Sequence, residues 1–147
     1  MARESSFWKW LRGKILPLGH FTRIESEVTS GVPDVHYATL GASYGWLELK
    51  SVKAPKTPKA RPLLRKGLRE EQIAWIHAHY RMGVPVGIVV KIGREVFLIS
   101  GYHAGELNGL TLEEIRAISY EPLKLGENPK WIRSKFLAFL RALKKRS

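Results

Sequence analysis

An aspartate and a Glu-x-Lys motif lie close enough in the chain to supply the groups of one hydrolytic site. Thirteen residues separate Asp34, at the end of Gly-Val-Pro-Asp, from Glu48, which begins Glu-Leu-Lys. Strand side chains return to the same face every second residue, so Glu48 and Lys50 would project together. Residues 41–45 have the composition of a hairpin tip. Folding there would bring Asp34 toward the Glu48 end of the partner strand, with the register open by a residue or two.

Two carboxylates and one ammonium group at one place are typical of metal-dependent phosphodiester hydrolysis. Mg²⁺ prefers oxygen ligands, keeps several waters and often takes only one or two protein carboxylates. A lysine beside it can orient a water or offset charge on a phosphate. Glu-x-Lys alone also occurs by chance in exposed strands that alternate apolar and polar residues. The interpretation therefore depends on the whole combination of Pro-Asp, turn, Glu-x-Lys and a basic chain.

The composition bounds the classes to which this protein can belong. With 147 residues, 44% of them hydrophobic, the chain is long enough for one domain with a substantial core. The formal net charge of +12 predicts a polyanionic partner, first nucleic acid and second an anionic membrane surface. The lack of cysteine excludes disulfides, thiolate zinc sites and cysteine nucleophiles. No stretch approaches the ~20 apolar residues of a membrane span. The first residues lack the features of a secretory signal, so a cytoplasmic location is expected.

Apolar periodicity and turn residues predict the element order αβββαβ, followed by one more strand and a helical region. The expected helices cover residues 4–16 and 69–82, begin again near residues 111–114, and resume after Asn128-Pro129. The expected strands cover residues 21–29, 34–40, 46–52, 84–91 and 95–100. We therefore expect an α/β fold with a mixed central sheet, flanking helices and a C-terminal basic helix. The expected single domain spans residues 1–147, with its core in 4–100 and a helical extension in 111–147.

This order and these motifs resemble the PD-(D/E)XK nuclease superfamily and, within it, the small virus-type replication–repair (VRR-NUC) nucleases. The resemblance runs from about residue 4 to residue 91. It rests on Gly-Val-Pro-Asp, Glu-Leu-Lys, Glu4 in the first helix, Gln72 in Arg-Glu-Glu-Gln, and Gly-Val-Pro-Val before the buried strand. It implies a restriction-endonuclease-like core that cleaves structured DNA with Mg²⁺ or Mn²⁺. Free-standing members are typical of bacteriophages. Related small nucleases resolve four-way junctions as homodimers, which implies a Holliday-junction-resolvase-like enzyme.

The resemblance also implies roles for individual residues. Asp34 and Glu48 would be metal ligands, with the Leu49 backbone carbonyl as a third oxygen. Lys50 would orient the attacking water or stabilise charge on the phosphate. Gln72 would point into the site and hydrogen-bond the lysine or the metal-bound water. Glu4 would complete the carboxylate set directly or through water, although acids at helix starts are also common for dipole reasons.

A strongly basic segment follows the Glu-x-Lys strand directly and is expected to be a mobile loop. Residues 53–69 contain seven Lys or Arg, three prolines and no acid. Such a run is usually a solvated surface, but its position favours a clamp on the DNA backbone. Its basic residues are Lys53, Lys56, Lys59, Arg61, Arg65, Lys66 and Arg69. The C-terminal helix is also basic, and it could lie on a membrane or dock its apolar side on the body or on a second subunit.

The two terminal helices carry enough apolar residues to suggest a homodimer. The residues concerned are Trp8, Trp10, Ile132, Phe136, Phe139 and Leu143, and Trp75 and Trp131 are also expected in the core. Two sites in fixed relation would let one particle cut two strands of a branched DNA. Two alternatives remain open. One is a monomeric nuclease for flaps or single-stranded ends, and the other is a catalytically inactive, basic DNA-binding accessory protein.

Overall fold

The structure, a computed structural model, describes residues 2–24, 31–41, 43–60, 64 and 67–146, apart from the side chains of residues 2–5, 145 and 146. The helices are α1 (Ala2–Ile15), α2 (Glu70–Arg81), α3 (Leu112–Ile118) and α4 (Pro129–Arg146). The strands are β1 (Gly19–Arg23), β2 (Val35–Thr39), β3 (Ser43–Val52), β4 (Val86–Ile92), β5 (Glu95–Ser100) and β6 (Tyr120–Lys124). Short 3₁₀ turns cover Leu16–Leu18, Gly101–His103 and Leu107–Gly109.

The six strands form one mixed sheet in the order β1-β2-β3-β4-β5-β6. Neighbouring strands are antiparallel, except that β3 and β4 are parallel. A parallel pair needs a crossover connection, and α2 lies in that connection. Residues 86–90 of β4 are all buried, because β4 lies at the centre of the sheet with apolar clusters on both sides. The fold class expected from the sequence is confirmed.

Two apolar clusters cover the sheet on opposite faces. On the α1/α4 face, Leu47 and Leu49 of β3 pack with Leu11 of α1 and Phe136 of α4. On the α2/α3 face, the cluster contains Ile76 of α2, Ile88 and Val90 of β4, Phe97 and Ile99 of β5, and Ile115 of α3. Consecutive residues of a strand point to opposite faces, so β3 serves one apolar layer with Leu47 and Leu49 and turns Glu48 to the other side.

The hairpin between β2 and β3 is tighter than the sequence suggested. Thr39 pairs with Ser43, which sets the tip between these two residues and places Tyr44 and Gly45 inside β3. Gly45 is there for close approach rather than for a turn, because a Cβ atom would lie 2.4 Å from the Pro85 carbonyl oxygen. The expected turn over residues 41–45 was therefore wrong in extent, although its place between the two motifs was right.

The C-terminal region differs from the expected purely helical extension. Residues 120–124 form β6, which pairs with β5 at the edge of the sheet. This strand contains Pro122, and proline is tolerated in sheets mainly on edge strands, so the sequence argued against a strand here. α3 begins as expected, with a capping box between Thr111 and Glu114. The single domain over residues 1–147 stays a prediction.

Some of the aromatic and apolar residues of the terminal helices are buried as expected, and one is exposed. Ile132, Phe136, Phe139 and Leu143 are buried against the sheet, and Trp8 is buried with them. Trp131 was expected in the core, but its side chain is 62% exposed. Among the described residues, no helix is both long and apolar enough to cross a membrane.

Candidate active site

The strand register brings Asp34 and Glu48 together. The last paired residues of β2 and β3 are Val35 and Leu47, and one further antiparallel step sets Asp34 opposite Glu48. Opposite residues of neighbouring strands share a face, so both carboxylates project from the α2/α3 face. On its other side, the Asp34 carbonyl accepts a hydrogen bond from the Ile24 amide at 2.7 Å. The approach expected from the hairpin is thus present, with a defined register.

Asp34 is held at the start of β2 by the backbone of β3. Its Oδ2 accepts a hydrogen bond from the Leu49 N–H at 2.8 Å. In a strand, the N–H and C=O of one residue point toward the same neighbouring strand. The Leu49 carbonyl therefore lies on the Asp34 side of β3, as a third oxygen ligand would require.

Glu48 is a buried carboxylate with polar partners on two sides. Its side chain is 1% exposed, and its Oε2 accepts a hydrogen bond from Gln72 Nε2 at 2.9 Å. Lys50 Nζ lies 3.6 Å from the same oxygen. Burying a carboxylate is costly unless it is paired and hydrogen-bonded, which makes such a group a candidate for function rather than for stability alone.

Gln72 is fixed at both ends of its amide in the first turn of α2. Its Oε1 accepts a hydrogen bond from the Arg69 N–H at 2.9 Å, while its Nε2 donates to Glu48. Gln72 therefore points into the site, as the resemblance implied. Its partner is Glu48, however, rather than Lys50, because the Gln72 Nε2 lies within hydrogen-bond distance of the Glu48 Oε2.

Gly31, at the head of Gly-Val-Pro-Asp, ties the loop before β2 to the same helix start. It adopts a φ of 88°, which favours glycine. A Cβ atom here would lie 2.3 Å from the Glu71 carbonyl oxygen, one residue before Gln72. The glycine thus allows the two motifs to touch, which the linear sequence could not show.

The basic residues expected to bind DNA divide into two groups. Lys53, Lys56 and Lys59 are exposed on the segment after β3, and Arg69 is exposed at the start of α2, 3.2 Å from Glu71. Arg61, Arg65 and Lys66 lie outside the described residues. Glu4 belongs to α1, but its side chain also lies outside the described part.

The segment after β3 is anchored at its far end, and its expected mobility stays a prediction. Leu64 and Leu68 are buried in the cluster on the α2/α3 face. The Leu68 N–H donates to Asn108 Oδ1 at 3.0 Å, and Asn108 Nδ2 donates to the Leu68 carbonyl at 2.7 Å. The signal for this anchor was the presence of leucines in an otherwise basic segment.

The donor set fits a hard divalent cation. Asp34 and Glu48 offer carboxylate oxygens and Leu49 a carbonyl oxygen, which are the ligand types of Mg²⁺ and Mn²⁺. Within the described ranges, no group of three or more His, Asp or Glu side chains is placed to hold a metal. A third carboxylate such as that of Glu4 stays a prediction.

Two rings beside the site were not singled out from the sequence. His36 and Trp46 lie two residues from Asp34 and Glu48 on the same strands, and they pair across β2 and β3. The two-residue spacing was the available signal, since it places a strand residue on the same face as its catalytic neighbour.

Two solved structures of nucleases are similar to this fold, whereas no family model and no curated protein matches the sequence. One is described as a VRR_NUC domain, at 18% identity and a TM-score of 0.42, covering 71% of this chain and 92% of that one. The other is the Holliday junction resolvase Hjc of the archaeal hyperthermophile Archaeoglobus fulgidus, at 15% identity and a TM-score of 0.49. That match covers 78% of this chain and 98% of the resolvase.

Proposed function

We propose that the protein is a divalent-metal-dependent endonuclease that hydrolyses phosphodiester bonds in DNA, with a resolvase-like preference for branched substrates. The observation that carries the proposal is the convergence of Asp34, Glu48, Lys50 and Gln72 at one end of β2 and β3. A buried carboxylate next to a second carboxylate and an ammonium group has no evident structural purpose. It suits a site that handles a cation and a phosphate.

Each residue has a physical role in this proposal. Asp34, Glu48 and the Leu49 carbonyl hold Mg²⁺ or Mn²⁺. The bound cation supplies charge that polarises the phosphate and eases ionisation of water. Lys50 presents a compact positive charge where the phosphate becomes more negative, or orients the water. Gln72 fixes the orientation of Glu48 through the bond between its amide and Oε2.

The charge of the chain favours a nucleic acid as the partner. The chain carries a net charge of +12, and Lys53, Lys56 and Lys59 are exposed on the segment that follows the strand of Glu48 and Lys50. Neutralising phosphates releases counterions, so such a segment strengthens binding to any DNA without choosing a sequence. An inactive accessory protein is less well supported, since it would not need a buried, hydrogen-bonded Glu48. The bacteriophage origin and the cytoplasmic location stay predictions.

Replacing one carboxylate at a time tests the proposal. Asp34→Asn and Glu48→Gln should each abolish cleavage of labelled four-way junction, flap, duplex and single strand in Mg²⁺, because either change removes half the formal charge of the cation site. Gel shifts in Ca²⁺ should show DNA binding that is unchanged or tighter. Glu121→Gln, an equal charge change on the exposed edge strand, is the control and should cut normally. Normal cutting by either site variant would refute the assignment.

A monomeric nuclease for flaps or single-stranded ends is the second candidate, and one observation favours it. Most of the apolar residues that suggested a dimer, including Phe136 and Phe139, are buried within a single copy of the chain, and Trp10 is partly buried. They therefore supply little surface for a partner. Paired cuts in a junction need two sites in fixed relation, so the resolvase proposal requires a dimer formed by other surfaces. Light scattering for the mass and competition with excess duplex for junction preference distinguish the two candidates. A monomer without junction preference would select the second.

A further inference from the structure

Each element that supplies a candidate catalytic side chain also supplies an aromatic ring next to it. On β2 the ring follows Asp34 by two residues, and on β3 it precedes Glu48 by two. On α2 the ring follows Gln72 by three residues, about 4.5 Å along the helix axis. The three rings belong to His36, Trp46 and Trp75. Because β2 and β3 are antiparallel, the ring that follows Asp34 and the ring that precedes Glu48 lie on the same side of the two carboxylates. Each ring is two strand residues, or about 7 Å, away from its carboxylate.

These rings form one continuous, ordered cluster. His36 meets Trp46 edge-on, with 4.9 Å between ring centroids. Trp46 meets Trp75 in the same manner at 5.3 Å, and Trp75 stacks on His79 at 3.5 Å with only 11° between planes. All four rings are half-buried. Edge-to-face and stacked contacts fix ring orientations, so the cluster is preorganised rather than adaptable.

The cluster borders an open part of the sheet. The α2/α3 face carries apolar cover over β4 and β5, but over β1 and β2 its residues are exposed or half-buried. Thr22 and Ala38 are exposed there, and Tyr44 of β3, two residues beyond Trp46, is 61% exposed. None of the described residues on this part of the face beyond Asp34 is acidic. The result is an exposed aromatic surface that continues directly from the candidate catalytic carboxylates.

We propose that this surface, formed by Tyr44, His36 and the edge of Trp46, binds one unpaired nucleobase of the DNA strand that is cut. The inference rests on the proposed function, because it places that base about one to two nucleotides from the phosphate held near Asp34 and Glu48. Stacking on aromatic side chains is worth roughly tenfold to a hundredfold in affinity per base and tolerates any sequence. A rigid surface loses little conformational entropy when the base docks.

The substrate class follows from the chemistry of stacking. A base inside a duplex is stacked on both sides and cannot offer its face to a protein ring, whereas an unpaired base can. Flaps and single strands provide unpaired bases, and a branch point provides one where its last base pair opens, whereas continuous duplex does not. The surface would thus select the branched or open substrates at the site itself, without reading sequence.

A purely structural role for the rings makes a different prediction. The contacts of Trp46, Trp75 and His79 could serve only to hold α2 on the sheet and so position Gln72. Tyr44 takes no part in that ring-to-ring packing among the described residues. If the cluster were only a support, Tyr44 could therefore be removed without any effect on DNA.

An abasic scan of the substrate tests the proposal in the full-length protein. Binding is measured in Ca²⁺ to a four-way junction and to a flap, each with a single abasic site moved through the positions around the phosphate that Mg²⁺ cleavage identifies. One abasic position next to that phosphate should weaken binding to wild type about tenfold. Tyr44→Ala combined with His36→Ala should bind the intact substrate about tenfold more weakly and show no further weakening at that abasic position. Tyr44→Phe should behave as wild type.

The matched control is Trp131→Ala, which removes an equally exposed ring on α4, across the sheet from the site. It should leave the abasic profile unchanged. If the double variant folds poorly, Tyr44→Ala alone carries the test, because that side chain is exposed. The proposal would be overturned if the variant and the abasic site each weakened binding independently, so that their effects multiplied. It would also be overturned if no abasic position weakened binding to the wild-type protein. If no cleavage occurs, the scan is extended along the whole strand, so failure of the nuclease assignment remains distinguishable from failure of the base site.

Discussion

The two faces of β2 and β3 differ sharply, although alternating residues of the same two strands form them. On the α1/α4 face, Val35, Tyr37, Leu47 and Leu49 are almost fully buried among apolar side chains. On the α2/α3 face, the intervening residues are the carboxylates, Lys50 and the aromatic rings. Strand alternation therefore separates stability from chemistry by a single residue. We therefore expect that either face can be altered while the other keeps its function.

The two faces also differ in their energetics. Burying a large apolar side chain such as Leu47 contributes about 1.5–3 kcal/mol. Burying Glu48 works in the opposite direction, since a carboxylate loses its hydration and recovers it only in part through Gln72 and Lys50. The free energy gained by burying apolar side chains on the α1/α4 face thus offsets the cost of burying Glu48 on the α2/α3 face. Substitutions on one face at a time can therefore test that separation.

The largest effect in this set is expected on the chemical face. Lys50→Ala should slow cleavage by about 10²–10⁴-fold, the range for a positioned electrostatic or proton-transfer group. The thermal unfolding midpoint should also fall, because the buried Glu48 loses a compensating charge, so cleavage is measured well below that midpoint. Single-turnover cleavage in Mg²⁺ provides the measurement. The control is Lys91→Ala on β4, because Lys91 pairs with Ser51 and projects from the opposite face to Lys50. Rates within a few-fold of wild type for Lys50→Ala would make it an ordinary surface lysine.

On the apolar face, Phe136→Ala should cost about 3–5 kcal/mol of unfolding free energy, because it leaves a cavity between α4 and the sheet. Urea denaturation measures the destabilisation. Trp131→Ala, on the same helix but exposed, should change stability by less than about 0.5 kcal/mol. At a temperature where Phe136→Ala remains folded, its cleavage rate should approach that of wild type. A strong loss of activity in the folded variant would show that the two faces are coupled.

A smaller effect is expected from the basic segment. Changing Lys53, Lys56 and Lys59 to Gln should reduce the slope of log affinity against log salt by roughly 0.9 for each DNA phosphate that the variant no longer neutralises. Arg61, Arg65 and Lys66 extend the set. The matched variant replaces Lys130, Arg141 and Lys144, which are exposed on α4. If α4 contributes as much to the slope as the segment after β3, DNA contacts both faces of the molecule.

The smallest effect concerns Glu95 of β5, which is held by Arg116 of α3 through two bonds of 2.8 Å. The hydrogen bonds from Arg116 lower the pKa of Glu95 below its usual value. A lowered pKa stabilises the fold above the unfolded pKa, and this stabilisation disappears as pH falls through the folded pKa. Glu95→Gln should thus cost up to ~1 kcal/mol at pH 7 for this partly exposed pair. Urea denaturation should show the difference shrinking in acid, while cleavage at pH 7 is unchanged. A difference independent of pH would contradict the ion-pair explanation.

Several outcomes show where local patterns stopped being informative. The helices α2 and α4 and the buried strand β4 were predicted near their observed bounds, because periodicity and caps are local signals. β6 was missed because Pro122 argues against a strand, and only its place at the sheet edge makes it tolerable. Trp131 was placed in the core as part of a helical apolar stripe, whereas it lies on the solvent side of α4. The role of Gln72 came from family resemblance, since spacing alone gave it no partner.

By itself, the sequence determined which residues share a face of each strand and which residue types could handle a cation and a phosphate. Alternation and hard-oxygen chemistry are local properties, so Asp34, Glu48 and Lys50 could be named in advance. Only the tertiary structure decided that Asp34 lies opposite Glu48 and that Gln72 donates a hydrogen bond to that glutamate. It also decided that the apolar side of α4 packs against the sheet of the same chain. Register and helix docking depend on close packing between segments far apart in the chain, such as Gly31 against the Glu71 carbonyl. No local pattern encodes contacts of that kind.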